Sequence, residues 1–230
     1  MAISNSLLAA LPPKSYQQLL SGLVPVTLGF GDVLYEPGEA IRDVYFPSQC
    51  LVSLLTVVNG HRALEVGMVG REGMVGVPLA LGMKVSPVRA LVQGAGPALK
   101  MKAARFHTAL RGSRPLQDGV NRYVHAMMGQ ISQTAGCNRF HLVEARLARW
   151  LLMTRDRMRS GQFRMTHEFL GHMLGVRRVG VTEAASALQR KKLIEYSRGD
   201  IVVLNDRGLE AAACSCYGQT PSKARHRGIQ

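Results

Sequence analysis

The stretch that decides the fold reads MTHEFLGHMLGVRRVGVTEAASALQRKKLI and runs from Met165 to Ile194. Thr166 precedes a short amphipathic segment and is placed to cap it, and Gly175 ends that segment because glycine tolerates a left-handed backbone. A second helix is predicted from about Arg178 to Lys191. Its predicted buried side consists of Val181, Ala184, Ala185 and Leu188. Two short helices about a glycine turn predict a helix-turn-helix, whose second helix can enter the major groove of DNA.

A β-hairpin is predicted directly after these helices. Leu193–Tyr196 and Ile201–Leu204 are short strand-like runs, and Ser197–Asp200 supplies the turn between them. The turn carries Arg198, which can reach a phosphate beside the groove. A helix-turn-helix followed by such a hairpin is a winged helix, so this region favours DNA binding.

The charge distribution agrees with a polyanionic partner. The chain holds 29 Lys and Arg against 15 Asp and Glu, a net charge of +14, and its 47% hydrophobic content indicates a folded protein. Residues 139–230 hold 17 basic and 8 acidic residues, whereas residues 1–138 hold 12 and 7. The C-terminal third is therefore the candidate nucleic-acid-binding part.

Upstream of this part, glycines separate short β-branched runs between Val24 and about Met101, which predicts an all-β barrel or roll. The predicted strands are Val24–Leu28, Val33–Tyr35, Val44–Phe46, Leu51–Val58, Leu64–Val69 and Val88–Val92. Asn59-Gly60 predicts a tight hairpin.

The pattern becomes helical after Ala103. A narrow apolar stripe begins beyond Pro115, and it suits pairing with a second helix, although packing on the chain's own β-region is an open alternative. The stripe consists of Leu116, Val120, Tyr123, Met127, Ile131 and Thr134. A further helix runs from Arg139 to about Arg159. Its predicted outer face consists of Arg139, Arg146, Arg149, Arg155, Arg157 and Arg159.

Residues Phe140–Tyr217, above all Glu144–Leu152 and Leu174–Ala185, resemble the DNA-binding half of the Crp/Fnr family of bacterial transcription regulators. The β-region resembles that family's cyclic-nucleotide-binding-like double-stranded β-helix. The resemblance implies an α+β chain that acts as a homodimer. Its expected parts are a jelly-roll-like sensor domain at 1–114, a dimerisation helix and hinge at 115–138, a winged helix-turn-helix at 139–217 and a basic flexible tail at 218–230. The expected dimer residues are Leu116, Val120, Tyr123, Met127 and Ile131, with a hinge near Gly136–Asn138.

The resemblance also assigns DNA contacts. Arg178 stands where the family reads a guanine, because guanidinium can bind O6 and N7 together. Val179 and Glu183 stand where glutamate and arginine are usual in the family, so a different operator is expected. The expected contact residues are Thr166, His167, Arg177, Arg178, Val179, Thr182, Glu183, Arg190, Lys191 and Arg198. Among them Thr166, His167, Arg190, Lys191 and Arg198 are assigned to phosphates, which position the protein without specifying sequence.

The sensor half departs from the family's cyclic-nucleotide binders. They pair Gly with Glu for the ribose and place Arg beside Ser or Thr for the phosphate, whereas here Arg71 separates the glycine from the glutamate and Ala90 lacks a hydroxyl. The candidate effector pocket comprises Gly70, Glu72, Gly73, Arg89 and Ala90. Cyclic AMP is disfavoured, and the structural alternative is that Arg89 and Glu72 pair with each other or with surface water. No cofactor is identified, and both an unknown small-molecule effector and a ligand-independent regulator stay open.

Metal binding and catalysis are not predicted. His167 and His172 are five residues apart, about 140° on a helix, and therefore do not share a metal as an i,i+4 pair does. Cys214 and Cys216 could hold a soft metal or oxidise, but no second thiol pair or nearby histidine is expected to complete four ligands. Cys50 and Cys137 are predicted packing residues. No Walker loop or Gly-x-Ser-x-Gly motif is present, and no clustered N-terminal cysteines suggest an iron–sulfur cluster, so an enzyme is not expected.

The sequence predicts a cytoplasmic protein without membrane contact. No basic segment precedes the short apolar stretch before Pro12-Pro13, and no apolar run approaches the roughly 18 residues of a membrane span. The expected partners are double-stranded DNA and a second copy of the chain, with RNA polymerase as a further candidate. The rival from another class is a basic protein that coats nucleic acid without reading its sequence.

Overall fold

The computed structural model describes residues 5–58 and 62–219. It divides into two compact units, one formed by Met1–Val57 and Gly67–Met128 and the other by Val58–Val66 and Gly129–Gln230. The first is rich in β-structure and the second carries the helix-turn-helix. A long helix contributes residues to both units, so the predicted α+β class is confirmed.

The first unit contains short helices and two antiparallel sheets. Its helices are α1 (Ser6–Ala9), α2 (Pro13–Leu20), α3 (Val77–Ala80) and α4 (Ala103–Gly112). Its strands are β1 (Val24–Leu28), β2 (Val33–Tyr35), β3 (Asp43–Pro47), β4 (Leu51–Val58), β5 (Arg62–Val69), β6 (Arg89–Gly94) and β7 (Gly96–Lys102), of which β4 and β5 extend into the second unit. The predicted hairpin at Asn59-Gly60 lies outside the described residues.

The sheet orders are β1-β7-β3 and β2-β6-β4-β5, and the described strands form no closed barrel. Strand β7, which the sequence did not predict, pairs antiparallel with both β1 and β3. Alternation along β3 buries Val44 and Phe46, and the Phe46 ring lies 6.5 Å from that of Phe106 on α4. One part of the core therefore forms where α4 packs against the first sheet.

The long helix α5 (Arg114–Phe140) differs from its prediction in two respects. It continues through Gly136 and Asn138, where a hinge was expected, because an isolated helical glycine costs only about 1 kcal/mol. The backbone leaves the helix at His141 and Leu142 instead, and Leu142 is the extended residue before the next helix.

The predicted dimer stripe on α5 is the second difference. Leu116, Val120 and Met127 are buried within the chain itself, and the Tyr123 ring fills the space beside Gly73, so these four do not form a partner-facing surface. Only Ile131 of the five predicted residues is exposed. The dimer prediction was wrong because a 3.6-residue period shows that a helix face is buried but not which neighbour buries it.

The second unit is built around a helix that is buried on almost every side. Its elements are α6 (Val143–Met158), β8 (Gln162–Arg164), α7 (His167–Leu174), α8 (Arg178–Arg190), β9 (Ile194–Ser197), β10 (Asp200–Val203), α9 (Asp206–Ala212) and a 3-10 helix (Ser215–Gln219). The prediction of an arginine-covered outer face on α6 is wrong for Arg146, Arg149 and Arg157, which are at most 7% exposed. Within the described residues, no helix combines the length and apolarity needed to cross a membrane.

Candidate nucleic-acid interface

The first helix of the motif, α7, begins and ends as its sequence predicts. The Thr166 hydroxyl accepts a hydrogen bond from the Phe169 amide at 3.1 Å and thereby caps the helix. Gly175 ends it with a φ of 62°. Gly171 allows the turn to close, since a Cβ there would lie 2.9 Å from the Val176 carbonyl oxygen. These three residues place α8 against α7.

The recognition helix α8 has one buried face and one free face, as predicted. Its buried residues are Val181, Ala184, Ala185 and Leu188. The opposite side carries the exposed residues Arg177, Arg178, Val179, Thr182, Glu183 and Arg190, with Arg177 as the N-cap. Val179 is 60% exposed, although valine is normally buried. An apolar residue presented between charged neighbours suits contact with a base edge better than contact with water.

The wing is a two-residue hairpin between β9 and β10. Ser197 pairs with Asp200, and the two residues between them both have positive φ, 50° at Arg198 and 92° at Gly199. This is the pattern of a type I′ turn, whose twist matches that of the flanking strands. Arg198 is exposed at the tip. The third strand, β8, was not predicted because it has only three residues and a single buried side chain, Phe163.

Hydrogen bonds join the wing to both helices of the motif. The Met165 amide donates to the Gly199 carbonyl at 2.6 Å, directly before the Thr166 cap, and the Tyr196 amide donates to the Gln189 side chain at 3.3 Å. The start of α7, the exposed side of α8 and the wing tip therefore belong to one surface. We call it the candidate DNA-binding surface, and it comprises Thr166, Arg177, Arg178, Val179, Thr182, Glu183, Arg190 and Arg198.

Two of the predicted contact residues are held by protein groups. The Thr182 hydroxyl donates to the Arg178 carbonyl at 3.1 Å and therefore accepts at 2.9 Å from Nδ1 of His167. The His167 ring also stacks on Tyr196 with centroids 4.1 Å apart. Burial and then the charge of Arg178 lower the pKa of His167. A neutral, stacked histidine orients Thr182 more effectively than it binds a phosphate, and its contact with Tyr196 had no sequence signal.

Lys191, assigned to a phosphate, lies in an ion pair in this structure. Its Nζ atom is 2.5 Å from Oε1 of Glu144 on α6. Both side chains are partly exposed, so the pair contributes little stability and a phosphate can compete for the lysine. Lys191 is thus a weaker candidate for DNA contact than the exposed Arg190 next to it.

The predicted effector residues do not form the expected pair. Nε of Arg89 lies 2.8 Å from Oε2 of Glu36, so the Arg89–Glu72 alternative is wrong. Glu72 instead accepts a hydrogen bond from the Gly70 amide at 3.2 Å, and Ala90 is fully buried. A cleft of about 410 Å³ exists elsewhere in the first unit. Its lining, which includes none of the predicted effector residues, is Gln18, Leu19, Gly22, Met101, Ala104, Arg105, Thr108 and Ala109.

The prediction that Cys214 and Cys216 lack a nearby histidine or a further thiol is also wrong. Cys137 and His141, distant in sequence, lie beside Cys214 and Cys216, and the four potential ligand atoms are all within 4.8 Å of one another. The hydrogen bond with Cys214 lowers the pKa of Cys137 to about 5, and the same bond raises that of Cys214. Cys50 is separate, and burial raises its pKa to about 11.

These features define the second unit as a winged helix-turn-helix domain with an exposed, arginine-led recognition helix. Residues 145–212 match the family model of the Crp-like helix-turn-helix domain. This part of the chain is therefore a Crp-like helix-turn-helix domain, as the sequence resemblance indicated.

Solved structures share the fold over most of the chain. A transcriptional regulator of the Crp/Fnr family from Eubacterium rectale has 15% identity and a TM-score of 0.70, with 90% of this chain and 97% of that chain covered. A CRP-family regulator from Thermus thermophilus has 19% identity and a TM-score of 0.68, with coverages of 82% and 96%. The c-di-GMP-responsive global regulator CLP from Xanthomonas campestris has 16% identity and a TM-score of 0.68, with coverages of 84% and 100%. No curated protein sequence matches the chain.

Proposed function

We propose that the protein is a sequence-specific DNA-binding regulator that acts as a homodimer on an inverted-repeat operator. The observation that carries this proposal is the free face of α8, where Arg178, Val179 and Glu183 are exposed while the opposite face is buried. A helix anchored in this way can enter a major groove without unfolding any of its own packing.

The side chains on this face suggest which bases they read. Arg178 can donate two hydrogen bonds to O6 and N7 of guanine, Val179 can contact a thymine methyl group, and Glu183 can accept from N4 of cytosine. Thr166, Arg190 and Arg198 lie around them and are proposed phosphate contacts, which fix the register of the helix in the groove. Lys191 joins them if DNA displaces Glu144.

The exposed side of α5 offers a surface for dimerisation. Val124, Met128, Ile131 and Ala135 follow at steps of four, three and four, and Met128 is 63% exposed. This face, rather than the predicted stripe, is the proposed contact with the second copy. Helix-turn-helix regulators of the Crp/Fnr family bind DNA and typically dimerise. RNA polymerase is a further proposed partner, and the proposed place of action is the cytoplasm.

Met128→Glu tests the dimer surface by placing a charge in the middle of it. We expect the variant to sediment as a monomer at concentrations where the parent chain sediments as a dimer. Leu81→Glu is the matched control, because Leu81 is 61% exposed and does not lie on α5. If the Met128→Glu variant stays as dimeric as the Leu81→Glu control, this face of α5 is not the dimer contact.

A ligand-independent regulator is the second candidate. The position expected to hold a cyclic phosphate has its arginine neutralised by Glu36, and the neighbouring Ala90 is buried. Both observations weigh against cyclic AMP and leave an unidentified effector or none. A thermal-shift panel of nucleotides and metabolites separates these two, because a ligand that binds only the folded state raises its melting temperature.

Selection from a random duplex pool tests the whole proposal. We expect an inverted repeat whose half-site centres lie one helical turn apart, about 34 Å. Recovery of sequences with no shared half-site would favour a protein that coats nucleic acid without reading it.

A further inference from the structure

We propose that Cys137, His141, Cys214 and Cys216 form a binding site for a single zinc-class divalent cation. Cys137 lies in the last turn of α5, and His141 follows directly after the helix. Cys214 and Cys216 follow α9, at the opposite end of the sequence of this unit. All four residues belong to the second unit.

The spacing of the ligand atoms fits one tetrahedral ion. The Sγ atoms of Cys137 and Cys214 are 3.4 Å apart, and Sγ of Cys216 is 3.6 Å from Nδ1 of His141. With Zn–S near 2.3 Å and Zn–N near 2.0–2.1 Å, the edges of a regular tetrahedron measure roughly 3.5–3.8 Å. The two separations are close to these edges, and because all four ligand atoms lie within 4.8 Å of one another, no atom pair has to close by more than about 1.3 Å to accept the ion.

The chemistry of the donors points to the same class of cation. Three thiolates and one imidazole form the Cys₃His set that is typical of closed structural zinc sites, and they are poor ligands for calcium or magnesium. The three cysteines are buried and form no disulfide, since the 3.4 Å between Sγ of Cys137 and Sγ of Cys214 is far longer than the roughly 2.05 Å of an S–S bond. Gln133 donates to Sγ of Cys216 at 2.9 Å, an outer contact of the kind that orients metal ligands.

The surrounding charges supply an independent argument. Arg146 and Arg149 are each only 7% exposed, and no carboxylate among the described residues pairs with either guanidinium. Nη2 of Arg146 donates to Oδ1 of Asn138 at 2.6 Å, next to the cysteine on α5, and Nη2 of Arg149 donates to Oγ1 of Thr134 at 3.5 Å, about one turn earlier on the same helix. Buried charges are costly without a partner. A divalent cation held by three thiolates and a neutral imidazole has a net charge of −1, and it would offset part of these two positive charges.

The site would fasten the end of α5 to the segment that follows α9. Metal binding of this kind adds folding free energy, because the ligands come together only in the folded chain. The role that follows is a metal-dependent clamp within the DNA-binding unit.

Cobalt titration of the full-length chain, reduced and stripped with a chelator, tests this proposal without involving DNA. We expect one Co²⁺ per chain, with thiolate-to-cobalt charge-transfer bands and visible tetrahedral absorption, and we expect Zn²⁺ to displace it. Cys214→Ser and His141→Ala should lower the affinity by more than the roughly 10–100-fold cost of losing an outer-shell partner. Cys50→Ser is the matched control, because Cys50 is buried outside the cluster, and it should bind like the parent chain.

Two results would overturn the proposal. One is a parent chain that binds cobalt no more tightly than Cys214→Ser, or binds it without the tetrahedral spectrum. The other is a Cys137–Cys214 disulfide that forms in air at the same rate with and without zinc. Circular dichroism of each variant identifies any unfolded chain, and the half-buried His141 offers a milder change than a core cysteine if Cys214→Ser does not fold.

Discussion

Two groups of arginines in the second unit look alike in the sequence and have opposite environments. Arg177 and Arg178 at the start of α8 are exposed, whereas Arg146 and Arg149 on α6 are buried. The difference lies in what each guanidinium meets. Arg146 donates to a side-chain oxygen of Asn138 and to the Leu174 carbonyl, so it ties α6 to the ends of α5 and α7. The first pair is free to contact a ligand, and the second holds the domain together.

Arg146→Ala should give the largest effect and sharpens this comparison. The variant leaves a cavity and unpaired acceptors, so the free energy of unfolding should fall by about 3 kcal/mol. Arg177→Ala, on the exposed helix, should stay within about 0.5 kcal/mol of the parent chain. Urea denaturation of both variants measures the two values. Equal losses would mean that burial does not separate the two groups.

Arg178→Ala should affect recognition and leave stability nearly unchanged. Loss of a bidentate guanine contact costs about 1–3 kcal/mol, so affinity for the selected operator should fall roughly 5- to 150-fold. Affinity for random duplex should change much less, and preference for guanine should relax at one position in each half-site. Fluorescence anisotropy with both duplexes measures the difference. The same fractional loss on both would assign Arg178 to a phosphate.

Arg198→Asn should weaken binding to all sequences alike. Asparagine tolerates the positive φ of this position, so the variant removes the charge and keeps the turn. Loss of one phosphate contact lowers the salt slope by about 0.9, which corresponds to roughly fivefold weaker binding at 0.15 M salt. Titrations at several salt concentrations test this expectation. A loss confined to the operator would contradict the positioning role of the wing.

His167→Gln should give the smallest effect, and one that depends on pH. Because the folded-state pKa of His167 is lowered, its contribution to stability is complete above the unfolded value of about 6.5 and is lost as pH falls from there through the folded pKa. The glutamine variant should therefore lose less stability on acidification than the parent chain. His172→Gln, on the exposed side of the same helix, is the control. Denaturation curves between neutral and mildly acidic pH measure the free energy of unfolding of each chain. The same loss of stability in all three chains would mean that His167 does not cause the pH dependence.

The features that were predicted correctly from the sequence are those determined by neighbouring residues. The buried quartet of α8 follows from helical period, the Thr166 cap and Gly175 end follow from backbone preferences, and the wing turn follows from its glycine. Each is decided within a few neighbouring residues. The same reasoning explains why most strand positions of the first unit are close to their predicted bounds.

The parts that sequence missed depend on contacts between distant residues. Cys137 and Cys214 are 77 positions apart, and Arg89 and Glu36 are 53 apart, so no spacing rule pairs them. The prediction that the α5 stripe contacts a second copy was wrong for a related reason. Residues such as Leu116 and Val120 can pack within their own chain as readily as against a partner, and here they are buried within the chain. Periodicity identifies a buried face, and only tertiary structure identifies what covers it.

The most direct test of the central claim is a competition between the selected operator and random duplex at one fixed salt concentration. A recognition helix that reads bases through Arg178 and its neighbours should bind the operator at least about 10³-fold more tightly than random DNA. A ratio near one would contradict sequence reading by α8 and leave a basic protein that binds nucleic acid by charge alone.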